Sequence, residues 1–112
     1  MIVLKSSIFP LGKFSAINLF GIVILKKKSV ERKSVQSIIR LLRHEAIHTE
    51  QMKELLFIGF YIIYVLEWLY RLVFHTKTAY KGLSFEVEAI SNQGTLGYLT
   101  SRRHFAQWRR KV

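Results

Sequence analysis

The stretch LLFIGFYIIYVLEWLYRLVF, residues 55–74, limits the fold more than any other part of this 112-residue chain. Twelve consecutive apolar residues precede Glu67, and only Glu67 and Arg71 interrupt a window long enough to cross a bilayer. The two charges are four apart, in the Glu-before-Arg order that pairs on a helix. Spanning helices seldom carry such a pair without a pore or bundle to enclose it. The expectation is therefore a core helix at the centre of one domain, with membrane contact as the alternative.

Length and composition agree with a single domain over 1–112. Half of the residues are hydrophobic and 13% are aromatic, which argues against disorder. No cysteine is present, so disulfides and cysteine-ligated metal are excluded. The start, MIVLKSSIFPLG, lacks a basic leader followed by an uninterrupted apolar stretch. It predicts no signal peptide and hence a cytoplasmic protein, with membrane association as the alternative. The net charge of +11 gathers at Lys26, Lys27 and Lys28, at Arg32 and Lys33, at Arg102 and Arg103, and at Arg109, Arg110 and Lys111. Such clusters suit a solvated rim or an anionic lipid surface. No helix-turn-helix or other nucleic-acid signature accompanies them.

Residues 2–4 (IVL) and 14–25 (FSAINLFGIVIL) are rich in Ile, Val and Phe and predict sheet. Gly21 divides the second run into a strand near 14–18 and one near 20–26. The lysines that close it suit an edge strand. Ser34 is a candidate cap for a helix in which Val35, Ile38, Ile39, Leu42 and Ala46 recur at helical spacing. After a loop at 75–84, Ser84 is expected to cap a short helix, FEVEAISNQ, that Gly94 stops. A last basic helix near 100–110, capped by Thr100, would bury Phe105 and Trp108. The fold class is thus α+β, a short N-terminal sheet followed by three or four helices.

Within the capped helix, residues 43–51 read RHEAIHTEQ, an H-E-x-x-H. One helical turn stacks His44 over His48, so two imidazoles can reach one metal ion. Glu45 then lies beside the metal, where a carboxylate can take a proton from water. Catalytic zinc needs a third protein ligand and an open position. Glu67, Glu86 and Glu88 are the downstream candidates.

Glu88-Ala89-Ile90-Ser91-Asn92 resembles the E-A-I-S-D ligand helix of the gluzincins, the thermolysin-like zinc metallopeptidases. Their core is a small sheet beside an H-E-x-x-H helix, with a second helix supplying a glutamate, and the order of elements here is similar. The resemblance implies a zincin-like metallopeptidase domain, with Zn2+ held by His44, His48 and Glu88. It further implies Glu45 as general base and Asn92, in place of the usual aspartate, orienting the first histidine. Glu50 departs from the pattern by placing a charge where such motifs continue apolar.

Glu67 also stands at a thermolysin-like spacing from His48, but serving as ligand would require a chain reversal at which Gly59 is the only turn former. Glu67 is therefore assigned to Arg71, and Glu86 to a face shared with Gln93 and solvent. A peptide or protein substrate would need an edge strand, which FGIVILKK offers, and an oxyanion donor. Tyr61, Tyr64, Tyr80, His75 and His104 are the choices, and the sequence does not separate them. So small a chain has little wall for a substrate cleft, so a docking partner or a homo-oligomer is expected to complete it.

Overall fold

The computed structural model describes residues 1–8 and 15–109. Three strands, β1 (Ile2–Ser6), β2 (Ala16–Leu19) and β3 (Ile22–Lys26), form a sheet in the order β1-β3-β2. Helices follow: α1 (Lys27–Glu31), α2 (Val35–Glu54), α3 (Ile58–Phe74), α4 (Ser84–Asn92) and α5 (Tyr98–Ser101). The α+β class and the N-terminal position of the sheet are as expected. Phe14, Arg110 and Lys111, included in the predicted strand, helix and basic cluster, lie outside the described residues.

β3 is the central strand, parallel to β1 and antiparallel to β2. This corrects the reading of FGIVILKK as an edge. β3 has its main-chain groups paired on both sides, and Val23 and Leu25 alternate onto its buried face. The lysines do not guard an edge strand either, since Lys27 and Lys28 open α1. β2 and β3 are joined by Phe20 and Gly21, both at positive φ (54° and 89°), as a two-residue hairpin turn demands. Phenylalanine is poorly suited to that conformation. Its main-chain N–H donates to Tyr61 Oη (3.0 Å), and its ring packs 5.0 Å from that of Tyr61.

Ser34 caps α2 as predicted, its Oγ accepting from Ser37 N–H at 3.2 Å. The apolar window of residues 55–74 is not one helix from its start. The chain turns at Leu56 and Phe57, both left-handed (φ 57° and 61°), and α3 leaves α2 at 109°. Gly59 is not used for the turn; it lies inside α3. Two strained non-glycine residues cost about 1–3 kcal/mol each. The burial of Met52, Phe60 and Phe85, with Leu55, Phe57, Tyr61, Ile63 and Tyr64 packed on them, offsets that strain. Only one side of α3 enters this core, and Phe60 is its one buried residue. The core-helix expectation therefore holds for one side of α3 only. No single described helix is long and apolar enough to cross a membrane.

Glu67 and Arg71 do not pair. The Glu67 carboxylate accepts from the Ser84 main-chain N–H and from Ser84 Oγ (2.7 Å), so a carboxylate from α3 caps α4 where Ser84 was expected to. Free N–H groups at a helix start attract an anion more strongly than a solvated guanidinium one turn away does. Arg71 instead donates to Thr78 Oγ1 (2.9 Å) and lies across Gly82, where a Cβ would come within 2.0 Å of the guanidinium. Among the described residues the predicted basic helix near 100–110 does not form, and a single 3-10 turn at Ala106–Trp108 stands in its place. α5 stops at Arg102, which turns extended (ψ 132°), Thr100 lies inside α5, and Phe105 and Trp108 stay exposed, stacked on each other.

Because Glu67 caps α4, Glu67→Ala should lower stability by about 1–2 kcal/mol. At this size that corresponds to a melting temperature lower by roughly 4–8 °C per kcal/mol. Thermal denaturation followed by circular dichroism checks it; an unchanged midpoint would show that the cap is idle.

Candidate metal centre

α2 presents His44 and His48 one turn apart, and α4 lays Glu86 against both. His44 Nε2 and His48 Nε2 are 3.1 Å apart, and Glu86 Oε1 lies 3.2 Å from the first and 3.1 Å from the second. The three side chains form a group able to hold a metal ion. The side chains behind them decide what these atoms carry.

Gln51 is the clearest guide. Its Nε2 donates to the Phe85 carbonyl (3.0 Å) and to Glu88 Oε1 (2.9 Å), both pure acceptors, so its Oε1 must be the atom 2.7 Å from His48 Nδ1. His48 Nδ1 therefore carries a hydrogen and donates it, which leaves Nε2 of the neutral ring as a lone pair. Gln93 Oε1 lies 2.7 Å from His44 Nδ1, where accepting its hydrogen gives His44 the same tautomer, and Arg43 Nη1 donates to the Gln93 main-chain carbonyl at 2.8 Å. Two imidazole lone pairs and a carboxylate oxygen thus meet at one point. Such an arrangement is repulsive unless a cation sits among them. Without metal that cation is a proton. Burial opposes a charged His48, but the hydrogen bond and charge of Glu86, with help from Glu45 and Gln51, raise its pKa above the usual imidazole value.

Glu88, expected as the third ligand, is not brought to the histidines. Arg102 holds it bidentately, Nε to Oε2 at 2.6 Å and Nη2 to Oε1 at 3.1 Å, and Tyr98 Oη donates to Oε2 at 2.7 Å. Arg102 also reaches Glu54 (3.0 Å). A buried guanidinium needs carboxylates around it, and the sequence does not reveal that Arg102 turns inward. Glu88 still touches the site at one remove, through Gln51. Asn92 does not orient His44; its Nδ2 donates to the Glu88 carbonyl one turn back (2.8 Å), and Gln93 has the role assigned to it. Glu86 and Gln93, seven residues apart, share the face of α4 that was assigned to solvent. Glu67 is occupied at the start of α4.

Glu45 is buried beside the three donors, and no ion pair among the described residues holds it. Burial pushes its carboxyl above the ordinary range, reinforced by Glu86 and opposed by His48 and His44. It borders a cavity of about 280 Å³ lined also by His44, His48, Glu86, Tyr61, Tyr64, Tyr80 and residues 16–18 of β2. Tyr64 Oη donates to Glu86 Oε2 at 2.9 Å. Burial, then the charge of Glu86, raises the phenols of Tyr64 and Tyr80 well above their usual range, so both keep their protons. His75 and His104 do not line the cavity.

The exposed edge at the cavity is β2. Ser15 O accepts from Lys26 N–H (2.9 Å), so residues 15, 17 and 19 turn their main-chain groups to β3, and those of Ala16 and Asn18 point the other way. Asn18 fixes this strand to α2: its Nδ2 donates to the Glu45 carbonyl and to Thr49 Oγ1, both at 2.9 Å, while its Oδ1 accepts from Gly21 N–H. Comparison with protein-family models, curated proteins and solved structures found no match to this chain.

The placement of the glutamates predicts opposite phenotypes. Glu86→Ala should release a bound divalent ion to a mild chelator, because two histidines remain. Glu88→Ala should weaken retention about 10–100-fold, through Gln51, and destabilise the fold by up to about 3 kcal/mol, because Arg102 loses its bidentate partner and keeps only Glu54. Metal content after dialysis, with a denaturant melt of each variant, separates them. Metal loss from Glu88→Ala with full retention by Glu86→Ala would overturn the assignment.

Proposed function

We propose that this chain is a zinc-dependent peptidase of gluzincin-like design, with His44, His48 and Glu86 as ligands and Glu45 as general base. One observation carries the reading: two histidines and a carboxylate converge, with an unpaired carboxyl beside them, in a cavity that opens along a strand edge. A tetrahedral zinc site with bonds of 2.0–2.1 Å separates its donors by about 3.3–3.4 Å, close to the separations in this triad. Nitrogen and carboxylate donors with no sulfur suit zinc, and three protein ligands leave a position open. When bound, zinc supplies a Lewis acid and brings the pKa of a water to about 7.

The remaining steps belong to the chain's own residues. Glu45, undercommitted and desolvated, takes the proton of the attacking water and returns it to the leaving amine. Tyr64 and Tyr80, protonated phenols that both lie against Glu86 on the cavity wall, are the donors available for charge developing on the scissile carbonyl, since Tyr61 is engaged by the β2–β3 hairpin. The outward main-chain groups of Ala16 suit an extended peptide lying along β2.

Glu45→Gln tests this directly. The variant should keep near-stoichiometric zinc and lose hydrolysis of an unstructured peptide mixture followed by mass spectrometry. Hydrolysis at the parent rate would remove Glu45 as the base.

A further inference from the structure

The side of α3 that faces away from the core carries an unbroken aliphatic ridge. Ile58, Ile62, Val65, Leu66, Leu69 and Val73 recur at intervals of three and four, and all are exposed, Val73 by 72%. Leu56, 83% exposed, extends the ridge at its start. At 1.5 Å per residue this 17-residue helix is about 25 Å long, and no polar side chain breaks the ridge. A continuous apolar surface of this kind marks an interaction site.

Charge indicates what covers it. Of the seven glutamates, Glu45, Glu86 and Glu88 are buried, Glu54 closes on Arg102 and Glu67 on Ser84. That leaves Glu31 and Glu50 to face solvent. Among the described basic residues, Arg102 is the one drawn in between buried carboxylates. The charged side chains of the outer surface are consequently almost all cationic, and Lys77 and Lys81, both exposed, follow the ridge after the end of α3. A second copy of the chain would bring the same charge to the contact, whereas anionic lipid headgroups complement it.

We propose that this ridge docks the chain on an anionic lipid bilayer, with α3 lying in the plane of the interface. A helix of this length, not able to cross alone, buries its apolar side at the headgroup boundary while basic residues meet the phosphates. The proposal does not depend on the metal centre.

Flotation of the full chain with phosphatidylcholine vesicles, and with vesicles of equal phosphatidylcholine and phosphatidylglycerol, tests it. The chain should float with the mixed vesicles and stay down with phosphatidylcholine alone. Leu66→Glu and Leu69→Glu, at exposed positions, should each reduce binding about tenfold or more, with unchanged melting curves. Equal binding by these variants would overturn the proposal, because the basic clusters would then suffice. So would a parent chain that stays down with both vesicles, whether monomeric or as a dimer that Leu69→Glu dissociates in sedimentation equilibrium.

Discussion

Lone pairs repel one another, and burying them removes the water that would otherwise solvate them. Holding His44 Nε2, His48 Nε2 and Glu86 Oε1 within 3.2 Å therefore requires a rigid surround as well as a cation. The surround is a chain of donors with no freedom to reverse. Arg102 has no acceptor, so it fixes Glu88; Glu88 and the Phe85 carbonyl fix the amide of Gln51; Gln51 fixes the tautomer of His48. Each step is set by hydrogen-bond chemistry, and the last leaves the His48 lone pair turned toward Glu86.

The scaffold around this point is small, and single side chains connect its layers. Asn18 ties the β2–β3 turn to the main chain of the H-E-x-x-H helix, and Tyr61 ties the same turn to α3. Glu67 reaches from α3 to the start of α4, the helix that carries Glu86. The site thus depends on contacts between elements distant in sequence. The left-handed pair Leu56 and Phe57 is what lets α3 turn across α2 and form a wall of the cavity.

Local pattern made much of this legible. The cap at Ser34, the register of His44 and His48, the short helix after residue 84 and the N-terminal strands all follow from spacing within one element. The third donor does not. Glu86 and Glu88 are about 200° apart on α4, and choosing between them requires knowing which side of α4 meets α2. The E-A-I-S resemblance favoured Glu88, but a buried arginine 14 residues onward claims it. One sequence signal was present: Glu86 and Gln93 repeat at seven residues on one helix face, and Gln51 follows His48 by three. Amides at those spacings are suited to accepting imidazole N–H groups. The lysines that follow β3 resemble edge protection, but its near-continuous apolar run, IVIL, fits a central strand better.

If the proposed reading is right, the inner side of α3 serves the cleft and its outer side a lipid surface, so one helix sets both where the chain sits and what its cavity faces. The claim beneath it is the donor set itself. X-ray absorption at the zinc edge of the full chain, loaded with one equivalent of zinc, examines that set without reference to activity. The account predicts a four-coordinate nitrogen and oxygen shell at roughly 2.0–2.1 Å with outer scattering from two imidazoles. A six-coordinate shell of oxygens, or scattering from fewer than two imidazoles, would contradict it.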